Sequence, residues 1–191
     1  LPIQRLSKED AGKLLTRAQE AGITFFDTAR AYSDSEEKMG LYLSGIRERI
    51  VLATKTIAQT GEGLFKDLRE SLKMLRTDYI DLYQLHNPAF VPRPGGADGL
   101  YDAALEAKKQ GLIRHIGITQ HSLERANEAV RSGLYDTLQY PFNHLATQED
   151  IALVSLCREE NVGFICMKAL SGGLITDASI PFAFLAQYPH A

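Results

Sequence analysis

The 191-residue chain has no tryptophan and only two cysteines, Cys157 in "VSLCREE" and Cys166 in "FICMKAL". Two thiols at core-facing positions of a helix and a strand make a disulfide framework or a cysteine-rich metal site a poor expectation. No apolar run approaches the roughly 18 residues of a spanning helix, and the opening "LPIQRLSKED" lacks the charged-then-apolar order of a secretory signal. The expected location is therefore the cytoplasm, with no membrane partner. A net charge of -3 and the lack of a long basic block leave no electrostatic reason to expect nucleic acid. No G-x-G-x-x-G turn occurs either, which argues against a doubly wound dinucleotide fold. What remains is a partner of small-molecule size.

With 45% hydrophobic and 24% charged residues, the chain reads as one globular domain over residues 1–191 with enough apolar material for a sizeable core. Strand patterns begin near Ile23, Ile50, Tyr79, Ile113, Thr137 and Gly163, and helical spacing fills the intervals. Leu64, Leu68, Leu72 and Leu75 form one apolar stripe; Ile151, Val154 and Cys157 form another. Ser7, with Asp10 three residues on, predicts a helix start, and Gly22, Gly111 and Gly133 stand where helices should end. Such alternation implies a parallel sheet covered by helices. Residues 7–21 and residues near 178–188 read as outermost helices with no strand beyond them. The expectation is an α/β fold, a (β/α)8 TIM barrel whose first and last strands are absent from this chain.

Several strand patterns end on polar residues: Asp27, Lys55, His86, Thr119 with Gln120, and Asn143. In a barrel of this class the C-terminal strand ends carry the chemistry. Tyr32 lies just past the first, so an acid, an amine, an imidazole and a phenol are expected to converge. The Lys55 ammonium is expected to lower the Tyr32 pKa and make the phenol a usable general acid. Asp27 would keep Lys55 charged as it leaves water, and His86 would orient a carbonyl oxygen.

The segments "FFDTARAY", "VLATKT", "DYIDLYQLH", "IRHIGIT" and "LQYPFN" resemble, in order, the strand-end motifs of the aldo-keto reductase superfamily. The resemblance implies a catalytic tetrad of Tyr32, Asp27, Lys55 and His86, and hydride transfer from a nicotinamide cofactor to an aldehyde or ketone. The cofactor implied is NADP (NADPH), with NAD possible, and the partner is a small-molecule carbonyl substrate. Thr119, Gln120 and Gln139 fall where the family holds the carboxamide, although Ser and Asn are usual where Thr-Gln stands here. In "ALSGGL", Leu170, Ser171, Gly172 and Gly173 match the loop that passes the pyrophosphate. Met167 stands where a stacking tyrosine is common, with Lys168 beside it.

Phe90 and Val91 suggest an apolar lining for the substrate. His115 starts a strand and reads as structural; His121, His144 and His190 show no metal-ligand spacing. Two alternatives stand beside the reductase. One is a nucleotide-binding regulatory barrel of the same fold. The other is a metal-dependent hydrolase using Asp27, His86 and His144, which leaves Lys55 and Tyr32 without a task.

Overall fold

Apolar alternation and helical stripes succeed one another along the chain, and each segment adopts the element its pattern favours. The computed structural model describes residues 2–189, so His190 lies outside the described residues. These residues fall into two compact units. One takes the chain up to His86 together with Pro92–Ile116; the other takes Asn87–Val91 and the residues from Gly117 on.

The first unit contains helices α1 (Pro2–Arg5), α2 (Lys8–Glu20), α3 (Ser35–Leu43), α4 (Gly61–Leu75) and α5 (Leu100–Lys109). Its strands are β1 (Phe25–Asp27), β2 (Val51–Thr56), β3 (Ile80–His86) and the start of β4 (Ile113–Thr119). Ser7 caps α2 by accepting the Asp10 N–H at 3.0 Å. Gly22 closes the helix at φ +89°, where its N–H and that of Ile23 bond back to Gln19 and Ala18. That cap takes the Ile23 N–H, so β1 begins at Phe25 rather than Ile23.

The stripe on α4 also shifts: Ser71 is buried in place of Leu72. At 100° per residue, Ser71 falls about 20° from Leu64 around the helix, whereas Leu72 falls about 80° away. Gly40 on α3 admits no side chain, because a Cβ there would lie 2.1 Å from the Met74 carbonyl oxygen at the end of α4.

β1, β2 and β3 pair in parallel, with Asp27 opposite Ala53 and Lys55 opposite Gln84. Partners in a parallel ladder share a face and side chains alternate along a strand, so Asp27, Lys55, Gln84 and His86 all project from one face. At the other end of β3, Asp81 is buried between two arginines. Its carboxylate meets Arg47 at 2.6 Å and Arg114 at 2.9 Å, and accepts the Leu52 N–H at 2.9 Å. Both guanidinium groups also lie 4.0 Å from the centre of the Tyr79 ring.

The second unit contains the end of β4, α6 (Leu123–Arg131), β5 (Thr137–Pro141), α7 (Gln148–Glu159), β6 (Gly163–Met167) and α8 (Ser179–Leu185). Its strands are parallel, with Thr119 opposite Gln139, Gln139 opposite Ile165 and Pro141 opposite Met167. Thr119, Gln139 and Met167 therefore share a face. Phe142 anchors the unit's aromatic cluster, with Phe164, Phe184 and Tyr188 between 5.1 and 5.7 Å away. Cys157 is buried, whereas Cys166 is half-buried and donates its thiol to the Phe142 carbonyl at 2.9 Å; neither is in a disulfide.

The strands follow one another in chain order, β1 to β6, with a helix after each, the succession expected of a (β/α)8 barrel. Among the described residues no helix is long and apolar enough to cross a membrane.

Candidate active site

The first unit brings Asp27, Tyr32, Lys55 and His86 together. Lys55 is buried at the end of β2, and its Nζ donates to Asp27 Oδ2 at 2.5 Å and to the Thr28 carbonyl at 2.7 Å. The Tyr32 ring centre is 5.4 Å from that Nζ. His86 meets the same ring edge-on, with centroids 5.6 Å apart and planes at 87°. The amine thus has the carboxylate on one side and the phenol on another, with the imidazole against the phenol.

The electrostatics correct one expectation. The Tyr32 pKa is raised rather than lowered, because the phenol is partly buried and the Asp27 carboxylate opposes a second negative charge. Burial pulls the Lys55 pKa down, and the Asp27 carboxylate and its hydrogen bond work against that pull.

Two further features escaped sequence reasoning. Gln84 is fully buried, and its Nε2 donates to Asp27 Oδ1 at 3.1 Å, so the two oxygens of Asp27 are divided between an amide and an amine. The signal was its place two residues before His86, on the same face of β3. Glu36 is only 1% exposed, ion-paired with Arg30 and accepting Thr54 Oγ1 at 2.7 Å. It sits in "SDSEEK", a segment that reads as a solvated helix start, and the sequence carries no signal of its burial.

In the second unit, Thr119 is buried at the end of β4 and Gln139 opposite it within β5, and Met167 is half-buried on the same face. Thr119 Oγ1 accepts the Asn87 N–H at 2.9 Å. Gln120 is engaged at both ends of its amide: Nε2 donates to the Pro88 carbonyl at 3.0 Å, and Oε1 accepts from Arg125 at 3.2 Å. Leu170 precedes the short 3-10 turn Ser171–Gly173, where Gly172 and Gly173 take φ of +73° and +95° and Ser171 Oγ is buried without a hydrogen-bond partner among the described residues. The Ser171 and Gly173 N–H groups close this turn onto the Lys168 and Leu170 carbonyls. Lys168 itself is exposed.

Of the suggested lining residues, Val91 is buried and Phe90 is 47% exposed. His115 lies on the exposed start of β4, and the His121 pKa is lowered, first by burial and then by the charge of Lys168. His144 is half-buried, and among the described residues no three His, Cys, Asp or Glu side chains are grouped to hold a metal ion.

Comparison with known proteins places this geometry in context. The aldo-keto reductase YhdN of Bacillus subtilis is 33% identical over 177 residues, covering 83% of this chain and 51% of the relative. An aldo-keto reductase of Schizosaccharomyces pombe, yakc, named as NADP(+)-linked, is 31% identical over 192 residues, covering 90% of this chain and 56% of that protein. A solved structure from Pseudomonas aeruginosa assigned to the aldo-keto reductases superposes with a TM-score of 0.82 at 26% identity, covering 97% of this chain and 76% of the other. The chain spans about half the length of the curated relatives it matches. The family profile matches residues 2–181, and the chain belongs to the aldo/keto reductase family.

Proposed function

We propose that the protein reduces an aldehyde or ketone to the alcohol with NADPH as hydride donor and Tyr32 as general acid. The observation that carries this reading is the contact of buried Lys55 with Asp27 at 2.5 Å, with the Tyr32 ring 5.4 Å from the same amine. A general acid must hold its proton at working pH, as any phenol does at neutral pH; the raised pKa of Tyr32 makes giving that proton up the harder part. The difficulty is then the phenolate left after transfer. The Lys55 ammonium, kept charged by Asp27, is the group placed to stabilise it. His86, packed against the phenol, would hydrogen-bond the carbonyl oxygen and orient it for that proton.

The residues of the second unit fit a nicotinamide dinucleotide. Thr119 and Gln139 offer polar groups on the face that carries Met167, and the buried Ser171 Oγ lacks, among the described residues, a partner that a ligand could supply. Gly172 and Gly173 leave backbone open to close approach. Thr119, Gln139, Met167, Leu170, Ser171, Gly172 and Gly173 would hold the cofactor. Gln120, tied to Pro88 and Arg125, would brace the loop after β4 instead. When bound, the reduced nicotinamide supplies the hydride to the carbonyl carbon. The NADP(+) in the name of the S. pombe relative supports the phosphorylated form.

The test is consumption of NADPH with a simple aldehyde, beside Tyr32→Phe. Loss of a positioned acid should lower turnover by about 10² to 10⁴ and change cofactor affinity far less. Near-normal turnover by the variant would remove Tyr32 from the role. Tight NADPH binding with no turnover by the unaltered protein would favour the regulatory reading.

A further inference from the structure

The segment that carries Tyr32 is held more firmly than a surface loop requires. Residues 28–34 connect β1 to α3 and run beside the end of β2: the Thr28 and Arg30 N–H groups donate to the Ala53 and Lys55 carbonyls, both at 2.9 Å. Directly after Tyr32, Ser33 takes φ +41°, a left-handed conformation that costs energy in a residue with a side chain. A strained position of this kind persists only where its surroundings fix it.

Side chains do the fixing. Arg30 and Glu36 pair across the segment, which closes a ring of chain around Tyr32. Glu36 Oε1 accepts Thr54 Oγ1 at 2.7 Å, and Thr28 Oγ1 donates to Ser35 Oγ at 2.8 Å. Thr54 immediately precedes Lys55 on β2, and alternation turns its side chain to the opposite face. The strand that presents the amine on one face therefore anchors the phenol's loop from the other. Burying a carboxylate to 1% exposure carries a large desolvation cost, so a brace made this way is expensive.

We propose that the Arg30–Glu36 pair, anchored on β2 by Thr54, is a positioning clamp that holds the Tyr32 hydroxyl within proton-transfer reach of the substrate; this rests on Tyr32 being the general acid. General-acid transfer requires heavy atoms about 2.6–3.2 Å apart, a tolerance that a loop carrying a strained Ser33 keeps only while it is braced. Glu36 touches neither substrate nor cofactor in this scheme and acts through Tyr32.

A kinetic cycle on the full-length protein tests the clamp: wild type, Glu36→Gln, Tyr32→Phe and the double variant. Glutamine keeps the size and an acceptor for Thr54 but removes the charge that holds Arg30. In the wild-type background Glu36→Gln should lower kcat by roughly 10- to 100-fold and leave NADPH affinity unchanged. In the Tyr32→Phe background, where no acid remains to misplace, it should cost less than about twofold. An equal cost in both backgrounds would show a structural pair only and overturns the clamp, as does wild-type kcat in a folded Glu36→Gln protein. Wild-type turnover by Tyr32→Phe would instead bring down the acid assignment and the clamp with it. Should Glu36→Gln not fold, Arg30→Gln breaks the pair from its more exposed side and enters the same cycle, and Arg30→Lys, which keeps the charge, should recover part of the lost rate.

Discussion

Replacing Gln84 by leucine should separate the stability of the protein from its chemistry. The Gln84 side chain is fully buried, with Nε2 on Asp27 Oδ1 at 3.1 Å and Oε1 without a hydrogen-bond partner among the described residues. Turning the amide over would place Oε1 against the carboxylate, so the unsatisfied oxygen is the lesser cost. Leucine removes both features at once. Losing the bond to a charged acceptor costs about 1.5–3 kcal/mol, and removing a buried unsatisfied acceptor returns about 1–3 kcal/mol. Asp27 is 24% exposed, so water can take over part of the lost bond. The net change in stability should lie within about 1 kcal/mol, or some 2–4 °C in Tm for a domain of this size. The site has no such compensation. Asp27 Oδ1 loses the donor that fixes the carboxylate on Lys55, and the same 1.5–3 kcal/mol expressed in the transition state lowers kcat by roughly 10- to 100-fold. Thermal melts beside NADPH-linked turnover decide the matter. An unchanged kcat, or a Tm loss beyond about 8 °C, would refute the reasoning, since either would mean that Gln84 is an ordinary core residue.

Asp81→Ala should do the reverse. It strands the buried Arg47 beside Arg114, both on the Tyr79 ring, and breaking a buried pair this way costs about 3–5 kcal/mol. Urea melts should show that loss, while turnover per folded molecule stays at the wild-type level. The buried Cys157 thiol is raised from 9.0 to about 12 by burial, so between those values the native state holds a proton that the unfolded chain has released. Its contribution to stability is intact below pH 9 and falls as pH rises toward 12, by up to about 1.4 kcal/mol per unit. Cys157→Ala should flatten that alkaline slope in denaturant titrations.

The fold was largely legible, because periodicity reports local structure. β4, β5 and β6 begin at Ile113, Thr137 and Gly163 as the pattern predicts, and Ser7 caps the helix it precedes. Residues at strand ends were legible for the same reason: once Asp27, Lys55 and His86 end neighbouring strands, the ladder brings them together. Which charges would be buried was not. Glu36 is buried because Thr54 and Arg30 meet it, and Asp81 because Arg47 and Arg114 converge on it from positions 34 and 33 residues away. Nothing local marks either carboxylate. The Tyr32 pKa was misjudged for a related reason. The expectation rests on the Lys55 charge and leaves out burial, the largest cause of the shift, and the repulsion between a Tyr32 phenolate and the Asp27 carboxylate.

The Asp81 cluster has a consequence for altering this protein. β3 carries Asp81 near its beginning and Gln84 and His86 at its end, so one strand spans a cluster that secures the fold and a site that is proposed to do chemistry. The two ends can vary separately, because sites more than about 7–10 Å apart with no shared partners change stability nearly additively. Under the proposed reduction, segments that follow the strand ends are the places to exchange for a different carbonyl substrate, apart from Asn87 and Pro88, which bond Thr119 and Gln120. Randomised libraries that spare Arg47, Tyr79, Asp81 and Arg114 should keep a larger folded fraction than libraries of equal size that do not.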